Sequence, residues 1–321
     1  MIVITGAAGF IGSCLLGRLN AMGLADIVMV DDFSRPDKMP NYTSKRFALQ
    51  INRRDFEAWA RQHSRDIEVI FHMGARTDTT EFDVGIFDEL NTGYSKKLFT
   101  LCAEYSIPFI YASSAAVYGA GEHGYTDSPD LLPALRPLNP YGQSKLDFDR
   151  WVEAAAIRPP WWAGFRFFNV YGPNEYHKGR MASVVMHAFN QVRQTGRVNL
   201  FRSHRPDFAD GMQLRDFIYV FDVVDVLIRF WKEQPASGIY NLGTGRASAF
   251  LHLAEAVFAA LELKPDIEFV DTPADIRDKY QYFTQADTTR LLQAVDLPGF
   301  TSLADGVADY VRRFLCHGIG F

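Results

Sequence analysis

The chain has 321 residues, 48% hydrophobic and 22% charged, with a net charge of −5. That length can bury a large core in one domain or two interlocked ones, and the mildly acidic balance without a lysine/arginine run excludes a nucleic-acid surface. Cys14, Cys102 and Cys316 are too scattered for a zinc site or a disulfide framework. They imply thiols packed as small hydrophobes in a reducing compartment, with no metal.

No apolar run approaches the roughly 18 residues of a membrane span. The opening "MIVIT" enters a strand pattern at once, with no charged and apolar leader, so a cytoplasmic protein without a membrane partner is expected. Short apolar runs then alternate with amphipathic stretches, which predicts βαβ units and a doubly wound parallel sheet of Rossmann type. The predicted strands cover residues 1–5, 27–31, 69–72, 109–112 and 164–167. Predicted helices lie over 11–22, 87–105 and 141–155.

After residue 171 the pattern loosens into longer loops, among them the polar stretch 202–214. Helices are predicted over 184–194, 220–234 and 249–261, and "GIYNLGTG" reads as a returning strand and turn. The expected division is a dinucleotide-binding domain over 1–170, completed by segments near 216–245. A smaller α+β substrate domain would then cover most of 171–321.

"VITGAAGFIGSCL" places Gly6, Gly9 and Gly12 after a strand and at the opening of a helix. Glycines there permit a tight turn and let backbone N–H groups approach a pyrophosphate at the positive helix end. Asp31, at the end of the next strand, stands where a ribose hydroxyl is read. It favours NAD, whereas Lys38, Arg53 and Arg54 could pair with the 2′-phosphate of NADP.

"NPYGQSK" sets Tyr141 and Lys145 four apart on one helix face, with Pro140 in the first turn. An ammonium beside a phenol favours the phenolate, which suits Tyr141 to exchange a hydroxyl proton during hydride transfer. In "FIYASSAAVYG", Ser114 is placed to hydrogen-bond the reacting oxygen, with Ser113 as the alternate.

With "TGAAGFIG", "SSAAVYG", "YGQSK", "FRFFNVYGP", "RDFIYVFDVVDV" and "YNLGTG" in order, the chain resembles the extended short-chain dehydrogenases/reductases over nearly its whole length. "FHMGARTDTTE", "NVYGPNEYHKGRMASV", "YNLGTGRASAF" and "YQYFTQAD" make it similar, within them, to the ADP-glycero-manno-heptose 6-epimerases. That resemblance implies a homo-oligomeric enzyme that inverts C6 of a nucleotide sugar through a transient ketone, using bound NADP. Its role would be to supply heptose for the lipopolysaccharide core.

Carried over from the family, Tyr141 and Lys178 would be two acid/base groups serving opposed substrate orientations. Lys145 would hold the nicotinamide ribose. Cofactor contacts would include Phe10, Ile11, Asp31, Asp32, Lys38 and Arg53, then the loop Met73, Gly74, Ala75, Arg76 and Thr77, with Asn91 and Val170. Substrate contacts would fall on Ser114, Asn169, Arg180 and His187, on Phe201, Arg202, Ser203 and His204, and on Arg215 and Tyr280. An alternative for Arg215 is an ion pair with Asp216 or Asp222.

Three features depart from the family: Met73 in place of an acid, Arg180 in place of a serine, and the longer 202–214 loop. They bear on the sugar and the diphosphate. A 4,6-dehydratase is disfavoured, because Ala115 and Ala116 stand where those enzymes carry an Asp-Glu pair. A binding protein that senses dinucleotide without catalysis would tend to lose Tyr141 or Lys145, and both are present.

Overall fold

The computed structural model describes residues 1–273, 277 and 280–321. Twelve strands are named among them: β1 (Ile2–Thr5), β2 (Ile27–Asp31), β3 (Leu49–Asn52), β4 (Val69–His72), β5 (Phe109–Ser114), β6 (Trp162–Phe167), β7 (Asn169–Tyr171), β8 (Val198–Phe201), β9 (Leu214–Tyr219), β10 (Gly238–Leu242), β11 (Ala247–Ala249) and β12 (Ile267–Val270). Seven form one sheet in the order β10-β6-β5-β4-β1-β2-β3, and its pairs are parallel. This is the doubly wound sheet that the alternating pattern predicts.

Burial on both faces follows from the crossovers. Ile2, Ile4, Met29 and Phe71 join one apolar cluster with α1 (Phe10–Ala21) and α7 (Val220–Glu233). The alternate residues Val3, Val28, Val30 and Ile70 join the opposite cluster. There they meet α2 (Phe56–Gln62), α4 (Tyr94–Glu104) and α5 (Pro140–Ala154). Strands covered on both sides read as continuous apolar runs, which is why the inner ones stand out in the sequence. Edge strand β3, "LQIN", buries only Ile51, too little alternation to register.

The predicted helix over 87–105 is interrupted. A short helix, α3 (Val84–Phe87), leads into a π-helical stretch at Asp88–Gly93 before α4 begins. Asn91 in that stretch is held by three bonds: it accepts from Arg76 N at 2.8 Å and donates to Arg76 O at 3.0 Å and Ser144 Oγ at 2.9 Å. Widened turns of this kind cluster at functional sites.

The remaining strands build two small sheets. β9 pairs parallel with β7 and antiparallel with β11, while β12 runs parallel to β8. Helices α6 (Val184–Thr195) and α8 (Phe250–Ala260) pack against each other beside them. Cys14 and Cys102 are buried as expected of small hydrophobes, but Cys316 is exposed, near the end of the chain where little packs over it. Among the described residues no helix is long and apolar enough to cross a membrane.

Candidate active site

Strand order reverses between β1 and β4, the position at which a doubly wound sheet opens a crevice. The glycine loop fills it. Gly6 has φ +69°, and a Cβ there would lie 2.5 Å from the Gly74 backbone. A Cβ at Gly12 would strike the Gly6 carbonyl. The loop therefore requires glycine twice, and it leaves the first turn of α1 open to a phosphate. This cradle fits a dinucleotide pyrophosphate.

A cavity of about 380 Å³ extends from the loop. Gly6, Gly9, Phe10, Ile11 and Gly12 line it, as do Asp31, Lys38 and Arg53. The second loop contributes Met73, Gly74, Ala75, Arg76 and Thr77. With Lys178, fourteen residues singled out from the sequence thus meet in one cleft, while Asp32, Asn91, Lys145 and Val170 are not among those lining it. Arg35 and His177 also line it. Sequence reasoning passed over both; their signal was a second basic residue beside Lys38 and a histidine directly before Lys178.

Asp31 is buried, and its carboxylate accepts from Ala8 N at 3.0 Å, Asp32 N at 2.7 Å and Lys38 Nζ at 2.9 Å. Arg53 pairs with Asp32 at 3.3 Å. Hydrogen bonds from Ser34, with Arg53 and Lys38 behind them, hold the Asp32 carboxyl below its ordinary range. Arg35 donates to the His177 carbonyl at 3.2 Å, and Asn41 Nδ2 lies 3.2 Å from His177 Nδ1. Burial, then the charges of Lys38, Arg35 and Lys178, push His177 down to about 4, so this imidazole is neutral.

The α5 helix carries Tyr141 and Lys145. Asn139 caps it by accepting from Gly142 N at 2.8 Å, and Pro140 occupies the first turn. Lys145 is buried and donates to the Ala112 carbonyl at 2.7 Å. Burial lowers its ammonium to about 8, with Asp149 opposing. Burial raises the Tyr141 phenol and Ser114 opposes that shift. The Lys145 ammonium is bonded to the Ala112 carbonyl, and Ser114 is the side chain bonded to the phenol.

The two serines after β5 part company. Ser114 caps the next turn, accepting from Ala116 N at 3.2 Å, and remains half-buried beside Tyr141. Ser113 points to the opposite face and donates to Asp149 Oδ2 at 3.0 Å. Ser113, the alternate read from the sequence, therefore serves a buried structural network.

Lys178 sits on the 3₁₀ turn Tyr176–Met181, half-buried, with Nζ 5.1 Å from the centroid of the Phe10 ring. Burial lowers its ammonium, and Glu175 opposes that. Two residues on, Arg180 is 67% exposed and pairs with Asp78 at 3.2 Å and with Thr80. His187 Nε2 lies 3.2 Å from the Arg180 carbonyl. Arg180 thereby ties the turn to the loop after β4, and His187 bonds back to the turn itself.

Arg215, on β9, is buried between aromatic rings, 5.5 Å from the centroids of Phe250 and Tyr280. Phe201 meets Tyr280 edge to face at 6.0 Å. Among the described residues no carboxylate pairs with Arg215; it donates to the Leu214 and Gln281 carbonyls. The alternative ion pair is absent because its partners are engaged elsewhere. Asp216 accepts from Thr244, Gly245 and Ala286, and Asp222 from Thr301.

Arg202, Ser203 and His204 lie on the loop beside this cluster. Arg202 pairs with Asp271 at 3.6 Å, Ser203 N donates to Asp210, and His204 N donates to Tyr282 Oη at 2.9 Å. Asn169 is exposed at the start of β7.

A parallel sheet whose reversal point carries a helix-opening glycine loop, with a tyrosine and lysine one turn apart on α5, defines a dinucleotide-dependent α/β enzyme. A family model described as the NAD dependent epimerase/dehydratase family matches residues 2–243, and the chain belongs to that family. It is 44% identical over 98% of both chains to an ADP-L-glycero-D-manno-heptose-6-epimerase of Fusobacterium nucleatum. It is likewise 44% identical, over 98% of both, to one of Nitratidesulfovibrio vulgaris.

Among solved structures, an ADP-L-glycero-D-manno-heptose-6-epimerase of Helicobacter pylori superimposes with a TM-score of 0.81 at 26% identity, covering 97% of this chain and 95% of that one. MoeE5 in complex with UDP-glucuronic acid and NAD superimposes with a TM-score of 0.76 at 26% identity, over 97% and 99%.

Proposed function

We propose that this enzyme inverts C6 of an ADP-glycero-manno-heptose, the activity for which its 44% identical relatives are named. The observation that carries the reading is a pair of proton-handling side chains on separate elements, Tyr141 on α5 and Lys178 on the turn beside the dinucleotide cleft. Inversion requires hydride to leave one face of C6 and return to the other, with the oxygen losing and regaining its proton in two opposed orientations. One acid/base group is poorly placed for both orientations, and a second answers that geometric need.

Bound along the glycine loop, the nicotinamide supplies hydride acceptance and return. Tyr141, beside Ser114, would take or return the hydroxyl proton in one substrate orientation. Lys178 would return or take it in the opposed one, so the proton lost to one group on oxidation is replaced from the other on re-reduction. Lys145, one turn beyond Tyr141 on α5, would hold the nicotinamide ribose. NADP is the form favoured, because Lys38, Arg35 and Arg53 surround an Asp31 whose charge is already offset. The Arg215 guanidinium, free of a described carboxylate, suits the substrate diphosphate.

The division of labour follows the chain. Residues 1–170, with segments near 216–245, hold the dinucleotide, and 171–321 mainly hold the sugar nucleotide. The test is incubation of purified protein with ADP-D-glycero-D-manno-heptose, following C6 configuration by NMR. Conversion to the C6 epimer is expected; bound dinucleotide with no change at C6 overturns the reading.

A further inference from the structure

Glu175 is wholly buried at 0% exposure, three residues before Lys178 on the same turn. Its two oxygens accept from Ser183, one from the backbone N–H and one from the hydroxyl, each at 2.6 Å. Its own carbonyl accepts from Lys178 N at 2.9 Å. Tyr310, also buried, faces the carboxylate with its hydroxyl. A buried carboxylate costs several kcal/mol of solvation unless a cation or full hydrogen bonding offsets it.

Burial raises the Glu175 carboxyl and Lys178 opposes that shift, while burial lowers the Lys178 ammonium and Glu175 opposes it in turn. The other titratable groups facing them are Cys14 of α1, Tyr176 and Tyr310 around Glu175, and His177 beside Lys178. Lys45 faces Cys14, while Arg35, Lys38 and Asp37 face His177.

We propose that Glu175 is a positioning residue for Lys178: its buried carboxylate, anchored on Ser183, fixes the turn that carries the lysine and sets an acidic group three residues before its ammonium. This rests on the acid/base role given to Lys178 above. Without the negative charge, the same burial would favour a neutral amine, and the residue would lack the proton it must return to the sugar oxygen.

The experiment measures epimerisation against pH in wild type, Glu175→Gln, Ser183→Ala and Lys178→Met. Glutamine keeps the shape, and Ser183 can bond its amide. In Glu175→Gln the limb belonging to Lys178 is expected to move to lower pH by about one unit or more. Ser183→Ala retains the carboxylate and is expected to leave that limb in place.

An unmoved limb in Glu175→Gln, or an equal movement in Ser183→Ala, overturns the proposal while an inactive Lys178→Met leaves the function standing. Full activity in Lys178→Met overturns the acid/base role itself. Should Glu175→Gln fail to fold, Glu175→Asp keeps the charge. Its limb is expected to stay, and a limb displaced as far as one unit again overturns the proposal.

Discussion

Arg166 Nε and Asp149 Oδ2 lie 3.0 Å apart, with side chains 1% and 0% exposed. The same carboxylate accepts from Ser113 and Tyr111, while Arg166 donates to the Tyr118 hydroxyl at 3.0 Å. Tyr118 in turn donates to Asn241 of β10 at 2.6 Å. This network pins α5, one turn beyond Lys145, to β5, β6 and β10. Removing one partner leaves a buried charge unpaired, so Asp149→Ala should cost about 3–5 kcal/mol. Urea unfolding measures it, and Asp149→Ala with Arg166→Met should recover much of the loss.

Lys178→Met should abolish epimerisation while the purified protein keeps its dinucleotide. The methionine retains the apolar stem that lies toward Phe10 and removes only the proton carrier. Absorbance of the released cofactor and NMR at C6 check the two halves, and a variant with wild-type turnover would remove Lys178 from the chemistry.

Tyr141→Phe should slow epimerisation by about 10²- to 10⁴-fold, the usual contribution of a positioned acid/base. The ring keeps its tilted contact with Phe87, 6.4 Å between centroids, so the fold should hold. Steady-state kinetics with circular dichroism tests both parts.

Lys38→Ala should weaken NADP more than NAD. It removes the cation 2.9 Å from Asp31 and uncovers a carboxylate that repels a 2′-phosphate. Titration with each dinucleotide reads the ratio of the NADP to the NAD dissociation constant, which should rise about tenfold or more, the effect of roughly 1.4 kcal/mol.

Acid should destabilise the protein partly through His72. Both its ring nitrogens meet hydroxyls, Thr5 at 2.6 Å and Ser95 at 2.9 Å, and burial, reinforced by Lys145, pushes it down to about 3. Between that value and the ordinary 6.5, the unfolded chain binds a proton that the native one refuses. Stability therefore falls as pH drops through this window. His72→Gln should flatten the dependence of melting temperature on pH by up to one proton.

Residue spacing was enough to find Gly6, Gly9 and Gly12 and the Tyr141/Lys145 pair, since each depends on neighbours within one turn of backbone. Its limit shows in the serines. Ser113 and Ser114 are chemically identical in sequence, and the pleat of β5 sends one to Asp149 and the other toward Tyr141. It shows again in Arg180, whose partner Asp78 lies 102 residues away.

The sequence by itself determined the alternation of strands and helices, the phosphate loop and the one-turn spacing of Tyr141 and Lys145, because local periodicity and backbone sterics act over a few residues. Only the tertiary structure decided which charges are offset. It left Arg215 between rings without a described carboxylate, closed Lys38 onto Asp31, and buried Glu175 beside Lys178. Those outcomes depend on the packing of segments far apart in the chain, where desolvation and distance set the worth of every charge.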